Sequence, residues 1–104
     1  KQVEGELILR LIQPSDTVVL LDEHGAERTS MEMATWLTRK QQTARRLVFI
    51  IGGPYGFSAD VYSRADEKIS LSRMTFSHQM VRLIFTEQLY RACTIIRGES
   101  YHHE

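Results

Sequence analysis

The run Leu47-Val48-Phe49-Ile50-Ile51, broken abruptly by Gly52-Gly53-Pro54, constrains this chain more than any other stretch. A short, continuous apolar segment rich in β-branched residues suits a strand buried on both faces, and such strands belong to parallel sheets covered by helices. A glycine turn at its carboxyl end lets the backbone approach a ligand closely, since glycine has no Cβ in the way. A tight turn required only by chain geometry reads the same way. The cluster is not a phosphate loop, because no Gly-Lys-Ser/Thr follows. Gly52, Gly53 and Gly56 also lack the spacing of a dinucleotide fingerprint.

A second run of the same kind, Thr17-Val18-Val19-Leu20-Leu21, precedes it, and Asp22-Glu23-His24-Gly25 reads as the turn that ends that strand. Before it, Leu7, Ile8, Leu11 and Ile12 fall at helical spacing within Lys1 to Gln13, closed by Pro14. Thr29 and Glu32 have capping-box spacing ahead of a helix that turns Met33, Trp36 and Leu37 to the core. Ser58 is placed to cap a short helix through Arg64, and Ile69 and Leu71 mark a third strand. Apolar residues at 80, 81, 84, 85, 89, 92, 95 and 96 describe a long amphipathic helix from Gln79 to Arg97, stopped by Gly98. The alternation αβαβαβα predicts an α/β fold: a mostly parallel sheet with helices on both faces, in a single domain spanning 1–104. Its first helix has no preceding strand to cross over from, which points to an N-terminal β-α-β portion lacking from this chain.

With 104 residues there is room for one core. Thirteen basic residues balance thirteen acidic ones, so overall charge gives no hint of nucleic acid and leaves a local patch open. The single Cys93 forms no internal disulfide and reads as a small core residue in a reducing, cytoplasmic setting. No apolar run approaches the roughly 20 residues that span a bilayer. Neither a membrane nor DNA is expected as a partner.

The candidate site follows from the strand ends. Leu71-Ser72-Arg73-Met74-Thr75-Phe76 leaves the third strand where ligands of open α/β sheets sit. An apolar lining from Leu21, Leu71, Met74 and Phe76, with backbone hydrogen-bonding groups, would suit an adenine ring or a sulfonium ligand. His78 stands just before the long helix, a position more often held by a structural histidine than by a catalyst. Tyr101 and His102-His103 occupy the tail. Adjacent histidines with no third ligand in view make a poor metal site, so no metal is expected. Arg82, Arg91 and Arg97, with Arg39, Lys40, Arg45 and Arg46, are candidates for phosphate contacts, although a solvated face is the default for such a scatter.

Ile50-Ile51-Gly52-Gly53-Pro54-Tyr55-Gly56, then Leu71 through Arg82, Glu87-Gln88-Leu89-Tyr90-Arg91-Ala92 and the closing Tyr101-His102 together resemble the RlmH family. These are SPOUT-class methyltransferases acting on a pseudouridine of 23S ribosomal RNA. The likeness runs in order along nearly the whole chain. It implies a SPOUT-type fold with a C-terminal trefoil knot, and a β-α-β portion of roughly fifty residues ahead of this segment. It also implies that S-adenosyl-L-methionine is held by Leu21, Gly52, Leu71, Ser72, Arg73, Met74, Thr75 and Phe76. The implied partners are a second copy of the chain, in a homodimer, and 23S rRNA within the assembled ribosome, with N3 of a helix 69 pseudouridine as acceptor. His78, Tyr101 and His102 are then candidates for proton removal, and Arg82 for phosphate or carbonyl contacts. Relatives often have an acidic residue where Tyr55 stands and prolines where Ser77 and Gln79 stand. Two other readings remain: a SPOUT enzyme acting on transfer RNA or another ribosomal site, and a non-catalytic α/β module binding a metabolite in the glycine crevice.

Overall fold

The computed structural model describes residues 2–52, 56–72 and 76–99, without the side chains of 2–4 and 78. Seven elements follow one another: α1 (Gln2–Leu11), β1 (Thr17–Glu27), α2 (Ser30–Thr43), β2 (Leu47–Ile51), α3 (Ala59–Arg64), β3 (Glu67–Ser70) and α4 (His78–Ile96). The sheet is parallel throughout, in the order β2-β1-β3. The chain therefore steps from β1 to one side and then crosses over to the other.

Alternation along β1 distributes the core. Val19 and Leu21 face Met33, Trp36 and Leu37 of α2 and Phe85 and Ala92 of α4. Val18 and Leu20 face the opposite way, onto Ile50, Phe57 and Val61, with Ile8, Leu9 and Ile12 of α1 closing that side. Helices thus cover both faces, as the sequence pattern requires. Three rings, Trp36, Phe49 and Phe85, stack at tilted angles beneath α2 and α4, with centroids 6.0 and 4.8 Å apart. Cys93 is half-buried against this cluster.

Helix ends follow the local chemistry. Thr29 and Glu32 form the reciprocal capping box: Glu32 N donates to Thr29 Oγ1 at 3.1 Å, and Thr29 N to Glu32 Oε1 at 2.8 Å. Ser58 and Ser77 cap α3 and α4 by accepting from Val61 N and Met80 N. Gly98, at φ 72°, ends α4 with the paired bonds Gly98 N to Ile95 O and Glu99 N to Thr94 O, a Schellman motif.

Three expectations need correction. Asp22-Glu23-His24-Gly25 does not end β1. Leu21 and Ala26 both register on Ile69, so these residues bulge out of the ladder and the strand resumes to Glu27. Gly25 makes this return possible, because a Cβ there would lie 2.6 Å from Ile69 N and Lys68 C in the neighbouring strand. Leu71 lies outside β3, which ends at Ser70. Leu7 and Leu11 point outward, 54% and 77% exposed, because α1 seats the adjoining stripe of Ile8, Leu9 and Ile12.

The amino end of the sheet is closed by polar contacts around the buried Asp16. Asp16 accepts from Gln13 N at 2.8 Å and from Arg46 Nε and Nη2 at 3.0 and 2.6 Å. Arg64 Nη2 donates to the carbonyls of Gln13 and Asp16, and Asp66 Oδ2 accepts from Val18 N. Among the described residues no helix is long and apolar enough to cross a membrane.

Candidate functional site

The three strand ends meet at the opposite, carboxyl edge. Leu21 registers with Ile51 on one side and Ile69 on the other. Gly52 follows Ile51 directly and Leu71 lies just beyond Ile69, so the segments holding Leu21, Gly52 and Leu71 stand side by side. With strands about 4.8 Å apart, the two outer loops are separated by about 10 Å. The crossover helices α2 and α3 lie on opposite faces, so a crevice opens at this edge, where ligands of α/β sheets bind.

Leu21 is a buried floor, 8% exposed, and Leu71 and Ser72 are half-buried. Ser70 Oγ donates to the Ser72 carbonyl at 2.8 Å and shapes the chain leaving β3. Phe76 is exposed at the far end of this loop. Arg73, Met74 and Thr75 lie outside the described residues, as do Tyr101 and His102. The path of the chain through 73–75 and the tail, on which the implied knot depends, lies outside them too.

The space beside Gly52 is not vacant. A Cβ there would stand 2.9 Å from the Phe57 ring, so this glycine accommodates a packed aromatic ring whatever else it does. Phe57 in turn meets Tyr62 of α3 edge-on, centroids 5.5 Å apart at 85°. Tyr62 Oη donates to Asp22 Oδ2 at 2.6 Å, and Asp22 Oδ1 accepts from His24 N at 2.9 Å. The Asp22 hydrogen bond pushes the Tyr62 phenol up to about 12. Burial would raise the Asp22 carboxyl, but the hydrogen bonds from Tyr62 and the His24 amide outweigh it and hold the group below its ordinary value.

Beside Leu71 a cleft of about 290 Å³ opens toward the start of α2 and the middle of α4, with Arg28, Ser30, Ser70 and Gln88 on its walls. Ser30 Oγ donates to Gln88 Oε1 at 2.9 Å across it. Arg28 lies over the Trp36 ring at 5.3 Å, its Nη2 3.8 Å from Glu67 Oε1. Its Nη1 is buried without a hydrogen-bond partner among the described residues. Glu67 also accepts from Trp36 Nε1 at 2.9 Å and pairs with Lys40. Burial opposes its ionisation, yet the Lys40 and Trp36 hydrogen bonds hold its carboxyl below the ordinary value.

Among the described residues, several of the basic side chains are committed to ion pairs. Arg46 is spent on Asp16 at the amino edge, Lys40 on Glu67, Arg91 on Glu87 and Arg97 on Glu99. Arg82 is exposed on α4, one turn after His78, while Arg39 and Arg45 are exposed elsewhere. His78 and Arg82 stand at one end of α4. The segment bearing Tyr101 and His102 leaves the other end, about 28 Å away along a helix of 19 residues. The Asp22–Tyr62 and Arg28 contacts are new to the site. Partners 40 residues apart leave no local signature; the only hint was an aspartate directly after a buried run.

The family model described as "Predicted SPOUT methyltransferase" matches residues 1–102. The chain belongs to the SPOUT methyltransferase family. It is 64% identical to the Ribosomal RNA large subunit methyltransferase H of Bacteroides thetaiotaomicron, 65% to that of Phocaeicola vulgatus and 59% to that of Porphyromonas gingivalis. Each alignment covers 100% of this chain and 67% of the relative, so the chain spans about two thirds of these proteins' length.

Proposed function

We propose that this chain transfers a methyl group from S-adenosyl-L-methionine to N3 of a pseudouridine in helix 69 of 23S rRNA, within the assembled ribosome and in the cytoplasm. The observation that carries this reading is the convergence of Leu21, Gly52 and Leu71 at three adjacent strand ends, in a chain 64% identical to a protein named for ribosomal RNA methylation. The crevice fits the ligand chemically. Leu21 and Leu71 offer apolar walls for a heterocycle, and the backbone beyond the last ladder pairs, at Gly52 and Ser72, offers polar groups.

When bound, S-adenosyl-L-methionine supplies an electrophilic methyl, whose bond to sulfur breaks as the bond to N3 forms. The remaining work falls to the protein: aligning the acceptor within about 3–3.5 Å and removing the N3 proton. Leu21, Gly52, Leu71 and Ser72, with Arg73, Met74, Thr75 and Phe76 that follow in sequence, would hold the cofactor. Arg82 steadies a phosphate or the developing charge on the base carbonyl. The cleft beside Leu71, with Arg28 on its wall, gives an acceptor nucleotide a path to the crevice.

His78, Tyr101 and His102 share the proton-removing role only across two chains. From Glu99, three residues reach at most about 10 Å. The tail therefore cannot fold back along α4 to its own His78 end. A second copy of the chain brings the two ends together. The exposed apolar residues Met80, Leu83 and Tyr90 on α4 support a homodimer built on that helix.

The test is calorimetric titration with S-adenosyl-L-methionine, followed by transfer of labelled methyl to ribosomes. Leu71→Asp is the informative variant, since Gly52→Val would strike Phe57 and disturb packing. Micromolar binding by wild type, weakened at least tenfold in Leu71→Asp with its melting temperature kept, is the expected result. Failure of the wild type to bind would overturn the reading. Binding with no transfer to any ribosomal substrate would favour a metabolite-binding module instead.

A further inference from the structure

We infer that Tyr62 is a positioning residue for the cofactor loops, acting through Asp22 and Phe57 without touching the ligand. This rests on the reading of the crevice as the S-adenosyl-L-methionine site. The ladder fixes the spacing of β1 and β2 only as far as the pair Leu21↔Ile51. Beyond it the chain enters the bulge at Asp22 on one strand and leaves β2 through Gly52 on the other. Side chains also act on their separation there.

Tyr62 supplies that connection from α3. Its hydroxyl reaches Oδ2 of Asp22, the residue after Leu21, while Oδ1 of the same carboxylate accepts from His24 N and closes the bulge. Its ring stands edge-on to Phe57, and the Phe57 ring fills the space beside Gly52. The third strand joins through Lys68, whose Nζ lies 5.7 Å from the Tyr62 ring centroid. One phenol thus links the bulge after Leu21, the Phe57 ring packed beside Gly52 and the strand leading to Leu71.

Burial does not explain this side chain. Tyr62 is 39% exposed, and a hydrogen bond at such a surface adds little to folding. What it does provide is a fixed gap between two loops before the ligand arrives, which lowers the ordering cost of binding. The carboxylate and phenol oppose each other as acceptor and donor, so the bond holds throughout the neutral range.

Calorimetric titration of S-adenosyl-L-methionine and S-adenosyl-L-homocysteine into wild type, Tyr62→Phe, Asp22→Ala and the double variant tests this, well below the melting temperature of each. Tyr62→Phe keeps the ring and loses only the hydroxyl. It is expected to raise both Kd values about fivefold, the cost of one hydrogen bond. Asp22→Ala, which also loses the bond from His24 N, gives at least that loss, and the double variant is no worse than Asp22→Ala alone, because the Tyr62–Asp22 bond is already gone there. Tyr62→Leu, which also frees Phe57, weakens binding further. Unchanged Kd in Tyr62→Phe, with or without a lower melting temperature, would overturn the inference and leave the cofactor site standing. A loss in Asp22→Ala alone would overturn it too, showing that Asp22 acts without Tyr62, through its bond to His24 N or on the ligand itself. A wild type that binds neither ligand overturns the cofactor reading and this inference with it.

Discussion

The Tyr62 phenol donates to Asp22 Oδ2 at 2.6 Å across 40 residues of sequence, tying the helix after one cofactor loop to the bulge that forms another. The bond leaves a titration signature. A tyrosine raised from 10.0 to about 12 has its protonated form favoured by folding. The stabilisation is therefore fully present below pH 10 and lost as pH rises toward 12. Tyrosinate absorbance of wild type minus Tyr62→Phe should show a residue ionising near 12, and Asp22→Ala should bring it back toward the ordinary value. A normal titration in wild type would mean the bond does not persist in solution.

At the other edge of the sheet the sign reverses. The Arg46 hydrogen bond holds the Asp16 carboxyl below its ordinary value of 3.8. Its contribution is present above that value and disappears as pH falls through the lower, folded value. Acid unfolding followed by Trp36 fluorescence should begin at higher pH in Arg46→Ala than in wild type. Asp16→Asn should flatten the pH dependence below about 4.

Two glycines separate backbone from side-chain constraint. Gly25→Ala drives its Cβ into the β3 backbone at 2.6 Å, which cannot rotate away, and should cost about 3 kcal/mol in denaturant unfolding. Gly52→Ala meets the Phe57 ring at 2.9 Å and should cost about 1 kcal/mol. That second cost should shrink in a Phe57→Leu background, whereas the Gly25 cost should not. A Gly52→Ala chain of unchanged stability would show that Phe57 shifts freely.

The dimer proposed on α4 predicts two outcomes. Leu83 is 64% exposed in one chain, so Leu83→Arg should lower the sedimentation mass to that of a monomer while helical circular dichroism is retained. If Arg82 and His102 act across the interface, mixing Arg82→Ala and His102→Ala chains should recover about a quarter of wild-type methyl transfer: half the dimers are mixed, and each has one intact site of two. No recovery, with each variant inactive alone, would overturn the shared site across the interface.

Helix ends give a simpler check. Gly98 sits at φ 72°, where an L residue is strained, so Gly98→Ala should lower stability by about 1 kcal/mol. Thr29→Ala, which opens the capping box, should cost a similar amount, about 1 kcal/mol. Equal melting curves for wild type and either variant would show the cap to be dispensable.

Much of this architecture was legible in residue order. Two short runs rich in β-branched residues, Thr17–Leu21 and Leu47–Ile51, pointed to strands buried on both faces, and the caps at Thr29, Ser58 and Gly98 set helix ends through contacts only a few residues long. The strand-end loops at Leu21, Gly52 and Leu71 followed from the same pattern, because a parallel sheet places all its carboxyl ends on one edge. Periodicity was a poorer guide at Leu7 and Leu11, where a broad apolar face left the packed stripe to be chosen by the neighbouring α3. The turn expected at Asp22–Gly25 proved to be a bulge, because the return of Ala26 onto Ile69 depends on a strand more than forty residues later.

The sequence by itself therefore determined the elements, the parallel sheet and the edge on which the crevice lies, since these follow from periodicity and from contacts within a few residues. Tertiary structure alone decided which side chains hold that crevice open. Tyr62 on Asp22, Phe57 beside Gly52, and Arg46 diverted to a buried Asp16 pair groups 5 to 40 residues apart. Such pairings are fixed by where crossovers bring helices over strands, and no local pattern encodes them.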